Sequence, residues 1–192
     1  MITIKKHVWL TSLLLGMVVA VILVTPAQAG KSKDTIKLES QAKASLEKLY
    51  AENAKARDLR TKAKAILTFP SIVKAGFIVG VQVGVGVLMD LKGRTIGYYN
   101  STAASFGYQA GVKGFHYTLF LMSDRAIDRL DTAGGLQLGM GPSLVIVKSG
   151  KTIGFTTTSI DKDIYAFIYD SKGVFGGVGL EGTKITKIDP PE

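Results

Sequence analysis

The spacing of apolar positions changes twice along the chain, and each change predicts a different element. Residues 8–24 are continuously apolar apart from Thr11, Ser12 and Gly16. Between residues 34 and 67, Leu46, Leu49, Tyr50, Ala56, Leu59, Ala63, Ile66 and Leu67 recur at three- and four-residue steps, the spacing of one helix face. Asp34 is the expected N-cap, since a short carboxylate accepts from first-turn amides. Phe69-Pro70 is expected to end the helix, because proline disfavours helical geometry in the residue before it.

After Pro70 the period becomes two. From Phe77 to Val87 every odd position is large and apolar, and every even one is glycine except Ile78 and Gln82. That is a strand with one bulky face and one nearly bare face. Gly76, Gly80 and Gly84 also have the four-residue spacing of a glycine-zipper membrane helix. Valine at alternate positions favours the strand, and Lys74 and Gln82 interrupt the apolar length. The Gln-x-Gly of Gln82 and Gly84 returns at Gln109/Gly111 and Gln137/Gly139, a weak internal similarity of strands. Further strands are predicted at 115–122, 144–147, 153–158, 164–169 and 174–180, with turns at Gly93, Gly150 and Ser171-Lys172-Gly173. A short helix is predicted over 123–130, with Ser123 as its N-cap. Glycine inside strands costs stability, and close approach of another backbone or a packed helix is the expected reason for so many, with a groove that admits a ligand as the alternative. The expected class is therefore α+β: a curved, barrel-like antiparallel sheet of Gly-rich strands, an N-terminal amphipathic helix and a short additional helix.

The first apolar run reads as a targeting segment. Lys5 and Lys6 precede it, Pro26 breaks it, and Ala27-Gln28-Ala29 fits a small-x-small cleavage pattern. An uncleaved anchor is the competing reading, because the run just reaches the lower limit for spanning a bilayer. Residues 1–29 are taken as a signal peptide, with the product periplasmic or secreted. Residues 30–192 suit one domain, and the absence of cysteine leaves its core to burial alone. Charge is uneven: residues 31–74 carry eleven Lys or Arg against five acids, whereas 75–192 carry eleven against ten. Lys55, Arg57, Arg60, Lys62 and Lys64 are opposed locally by Asp58 alone. This cluster reads equally as a solvated helix end, favourable to the dipole, and as a face for an anionic partner.

No catalytic constellation emerges, and no cofactor is expected. His116 is the one histidine after residue 29 and alternates with Phe115 and Tyr117 in a predicted strand. Without cysteine or a second histidine, zinc and Cys–His chemistry lack ligands. Ser-x-x-Lys occurs at Ser45/Lys48, Ser71/Lys74 and Ser159/Lys162, without the companion motifs of penicillin-recognising enzymes. Gly84-Val85-Gly86 has Met89 where a dinucleotide loop needs its third glycine. Asp124, Asp128 and Asp131 alternate with Arg125 and Arg129, which favours an ion-paired face over a metal site.

Several of these strings together resemble one family. They are Ala63-Lys64-Ala65-Ile66-Leu67 with Phe69-Pro70, Lys74-Ala75-Gly76-Phe77, Tyr108-Gln109-Ala110-Gly111, Met140-Gly141-Pro142, and the long run from Tyr169-Asp170-Ser171-Lys172-Gly173 to Gly182. Over residues 63–189 the chain resembles the SYLF-domain lipid-binding proteins. One departure is Tyr98-Tyr99-Asn100, where family members usually carry tryptophan and proline. The resemblance implies residues 30–62 as a basic amphipathic helix leading into a β-rich SYLF-like domain, 63–192. Eukaryotic members bind phosphoinositides through such a helix, and some bind actin; bacterial members resemble exported lipid-binding proteins. Carried over, the lipid-facing candidates are Lys55, Arg57, Arg60, Lys62, Lys64 and Lys74, with Phe69 and Phe77 as insertion points. The expected partner is an anionic phospholipid or membrane surface. The alternative is an envelope structural or protein-interaction domain with an envelope protein as partner. Enzymatic activity and nucleic-acid binding are not expected.

Overall fold

In a computed structural model the chain is described over residues 30–138, 144–148, 151–154 and 163–192. The expected leader, the turn at Gly150 and Met140-Gly141-Pro142 lie outside these residues. The order is α1 (Lys33–Glu52), α2 (Ala54–Arg60), β1 (Ala65–Met89), β2 (Thr95–Leu121), α3 (Asp124–Asp128), β3 (Leu136–Leu138), β4 (Leu144–Lys148), β5 (Lys151–Gly154) and β6 (Ile164–Ile188). No helix among the described residues is long and apolar enough to cross a membrane.

The single helix expected over 34–67 is two helices and the start of a strand. Ser32, not Asp34, caps α1, its hydroxyl accepting from the Thr35 amide at 3.0 Å. Asn53 adopts extended backbone between α1 and α2. Its amide donates to Leu49 O at 2.9 Å, and its side chain accepts from the Ala56 amide at 3.0 Å, so one residue closes the first helix and opens the second. Ala65–Leu67 then pair with Leu121–Leu119 as strand, and Phe69-Pro70 lies within β1, at a register shift. A strand tolerates the prolyl residue there because the ladder is already interrupted.

The sheet is mostly antiparallel, in the order β1-β2-β6-β4-β5 with β3 on β6; β4 and β6 run parallel. This open path corrects the barrel-like expectation: among the described residues β1 and β5 end it and do not pair with each other. The doubling-back is achieved inside the long strands instead. A Cβ on Gly84 would lie 2.4 Å from Ile72 Cδ1 and 2.6 Å from the Ser71 carbonyl, and one on Gly86 2.6 Å from the Phe69 ring. These pairs nest around Ile78, whose φ is +62°, and a Cβ built on Gly76 would run into the Gly80 backbone. β1 therefore folds over on itself about Ile78, and the face carrying its glycines is the inner face because no side chain fits at Gly76, Gly84 or Gly86.

Two apolar clusters result from this folding. Between the leaves of the sheet lie Leu67, Phe69, Ile72, Leu88, Phe115 and Leu119, closed at one side by Ala126 and Leu130 near α3 and by Leu136 and Leu138 of β3. On the outside, α1 lays Ala42, Leu46, Leu49 and Tyr50 over Ile66, Val87, Met89, Phe120 and Phe167. The short helix expected over 123–130 is α3, capped as anticipated by Ser123. Ser171-Lys172-Gly173 does not form a turn; it lies within β6, which continues opposite β2 to Ile188.

Candidate functional site

The five clustered cations are all exposed, and each also serves the fold. Arg57 Nη1 donates to Tyr50 O at 2.6 Å and Ala51 O at 3.2 Å, satisfying carbonyls at the end of α1. The Arg60 guanidinium stands 4.8 Å from the Tyr50 ring centre, and Lys55 Nζ 5.4 Å from that of Tyr165. Lys62 donates to Asp58 at 2.6 Å, the hydrogen bond that chiefly holds the Asp58 carboxyl below its usual range. Lys64 lies 3.8 Å from Asp124. Such exposed pairs are worth little in water, so the charges stay available to an anionic surface.

The other three predicted residues separate. Phe69 is 0% exposed in the inner cluster, stacked on Tyr117 at 5.9 Å between ring centres. It is core and has no free ring to insert. Lys74 is 7% exposed and shares the inner face of the folded β1 with Gln82, Ser101 and Ser105, all buried. Phe77 is 75% exposed. Around it the outer face of the sheet carries further side chains in solvent that sequence reasoning missed: Val73, Val79, Val81, Val83, Phe106 at 67% and Val112. Their signal was the bulky face of the alternating strand. That face would ordinarily point into a core; here it points out.

A polar cluster joins α1 to the sheet. Ser45 Oγ is 2.5 Å from His116 Nδ1, His116 Nε2 is 3.4 Å from Asp170 Oδ2, and Tyr169 donates to Ser45 O at 3.0 Å. Although serine, histidine and aspartate meet as in a hydrolase, Ser45 is 3% exposed within α1 and cannot receive a substrate. Burial depresses the His116 pKa, outweighing the opposite pull of Asp170. Neutral imidazole fits a hydrogen-bonding role here. Lys48 reaches Asp170 at 2.9 Å, the hydrogen bond that chiefly lowers the Asp170 carboxyl.

An open groove of about 450 Å³ runs between α1 and the β1–β2 turn, floored by Leu46, Tyr50, Ile66 and Met89. Its rim mixes Lys43, Arg60 and Lys92 with Glu47 and Asp90, so it selects no single charge. Among the described residues no group of three or more His, Asp or Glu is placed to hold a metal ion.

A family model described as "Ysc84: Las17-binding protein actin regulator" matches residues 102–189, from within β2 to just past the end of β6. Over these residues the chain is similar to the SYLF (Ysc84) family. It is similar to SH3 domain-containing YSC84-like protein 1 of Bos taurus, 27% identical over 129 residues, 65% of this chain and 37% of that protein. The Homo sapiens protein of that name is 27% identical over 129 residues, 65% of this chain and 36% of the relative. The Mus musculus protein matches at 27% over 127 residues. The SYLF match thus spans just over a third of the length of these relatives. The family match takes in the outer-face residues Phe106 and Val112 together with the polar cluster's His116 and Asp170.

Proposed function

We propose that this SYLF-like chain is an exported binding protein that associates peripherally with anionic membrane lipid, acting by binding and not by turnover. The observation that carries the reading is the exposed basic segment, five cations against one acid within residues 55–64. Export rests on the Lys5/Lys6, apolar run and Ala27-Gln28-Ala29 pattern, which directs the product to the periplasm or beyond.

The energetics require a second contact. Each cation near an anionic surface contributes about 1 kcal/mol, so the segment's net charge supplies about 4 kcal/mol, a roughly millimolar affinity. An inserted helix face would ordinarily supply the remainder. In this chain α1 cannot, because Ala42, Leu46, Leu49 and Tyr50 already face the sheet. Charge on the basic segment therefore attracts the domain, and another surface must hold it.

Co-sedimentation with phosphatidylcholine vesicles, with and without phosphatidylglycerol, tests the reading at low and high salt. Binding to the anionic vesicles alone, weakened by salt and by Lys55→Gln, Arg60→Gln, Lys62→Gln and Lys64→Gln together, is expected. Indifference to phosphatidylglycerol would overturn it. The family's description as a Las17-binding actin regulator favours a second reading, a protein-interaction domain; that reading gains if vesicles of either composition leave the chain in the supernatant.

A further inference from the structure

The folded tip of the three long strands is inside-out for a water-soluble protein. On its inner face β1 and β2 place Lys74, Gln82, Ser101 and Ser105, each 7% exposed or less. Its outer face places Phe77, Val79, Val81, Phe106 and Val112 in solvent. Strands that meet lipid have this sense of alternation, apolar outward and polar inward. Contiguous exposed apolar surface of this kind marks a site of interaction.

The geometry points to this outer face as a surface that enters one leaflet of an anionic lipid bilayer. It deepens the lipid-binding reading above by supplying the contact that reading requires. Cross-strand register places the chemistry. Ala75, Phe77, Val79 and Val81 share their face with Val112, Ala110, Phe106 and Ala104, four consecutive outward rows without a charge on β1 or β2. The rows at either end carry lysine on β6: Lys172 pairs with Gly114 in the row of Val73, and Lys184 with Thr102 in the row of Val83. Both lysines are exposed, Lys172 at 82%. Glu181 is the one acid of β6 between them, in register with Ser105. An apolar tip bracketed by cations complements acyl chains beneath anionic headgroups.

Depth agrees. Val73 and Val83 each lie five residues from the fold at Ile78, so the tip reaches at most ~17 Å beyond the lysine rows at strand rise. That is about half of a ~30 Å hydrocarbon core, enough for one leaflet and too short to span. The outer side of a folded-over strand is convex, a shape that wedges between lipids. Main-chain groups of the central strand flanking the fold are paired on both sides, to β1 and to β6, and residues 107–109 at the fold itself pair with β6.

The chain provides its own spectroscopic test. Its one tryptophan is Trp9, so residues 31–192, which contain both apolar clusters, hold none. In that fragment Phe77→Trp installs a single reporter at the tip without touching the core. On phosphatidylglycerol-containing vesicles its emission is expected to shift to the blue and to be quenched by lipids brominated along the acyl chain. Val79→Thr with Val81→Thr and Phe106→Gln is expected to weaken vesicle binding at least tenfold with an unchanged circular dichroism melt. Binding with the reporter still in water, or undiminished in the triple variant, overturns the tip and leaves the lipid reading standing. Absence of any vesicle binding overturns both. Blue-shifted emission that depends on protein concentration in the absence of vesicles assigns the face to a second copy of the chain and overturns the inference.

Discussion

Phe69 and Phe77 stand eight residues apart in one strand, and truncating each to alanine separates core from surface. Phe69 is fully buried, its ring stacked on Tyr117 at 5.9 Å and lying over the bare position of Gly86. Removing it leaves a cavity between the Tyr117 ring and the bare Gly86 backbone, on strands held by cross-strand pairing, so little collapse can offset the loss. Phe→Ala at such a site costs about 3–5 kcal/mol, and the upper half of that range is expected. For a domain of this size each kcal/mol moves the melting temperature by roughly 2–4 °C, so Phe69→Ala should melt roughly 8–20 °C lower. Phe77→Ala removes a ring that is 75% in water and should stay within about 0.5 kcal/mol of the parent. Urea titration followed by circular dichroism measures both, with the slope checked for constancy. A loss below about 1 kcal/mol for Phe69→Ala, or equal losses at the two positions, would refute the placement of the β1 fold.

Three further outcomes are expected from the same geometry. Gly84→Val must push a Cβ against the Ser71 carbonyl, now 2.6 Å from its place, and should cost at least the roughly 1–3 kcal/mol of an overpacked core, read by thermal melt. Asn53→Ala removes the acceptor that opens α2 and should destabilise by about 1 kcal/mol in urea, with Asn53→Asp largely retaining stability. His116, faced by Asp170, Lys48, Lys172, Glu52, Ser45 and Tyr169, has its pKa lowered first by burial, so the folded state favours neutral imidazole. Stability is then full above the unfolded value of 6.5 and declines as pH falls below it; melts from pH 8 to 5 should show the decline in the parent and a weaker one in His116→Gln.

The sequence made some of this legible and hid the rest for identifiable reasons. The apolar face of α1, the cap at Ser123 and the alternation of β1 are local patterns, and local patterns survive folding. The boundary near Ala63 did not, because Leu59, Ala63, Ile66 and Leu67 keep helical spacing into a segment that pairs with Leu121–Leu119. Long-range pairing outweighed periodicity there. The turn expected at Ser171-Lys172-Gly173 failed for a related reason. Asp170 and Gly173 take positive φ, 49° and 89°, yet β2 continues opposite them, so the irregularity is absorbed as a shift between Gly114 and His116. Among site residues, exposure of the five clustered cations matches their composition. Phe69 and Phe77 look alike in sequence and diverge only because the fold at Ile78 sets which face is inside.

That inversion ties the glycines to the function. A strand with one bare and one bulky face that doubles back on itself must turn the bare face inward, since a Cβ at Gly84 or Gly86 would sit 2.4–2.6 Å from Ile72 or Phe69. The valines are thereby forced out, whatever the cost in water. α1 covers Val87 and Met89 at one end of β1, whereas Val73, Phe77, Val79, Val81 and Val83 remain exposed around the fold. Serine or threonine at those positions would satisfy the same backbone and spare the exposure, so the fold alone does not require valine and phenylalanine there. Their apolar character is what a lipid contact would require, and it falls on the part of the strand that the helix leaves open.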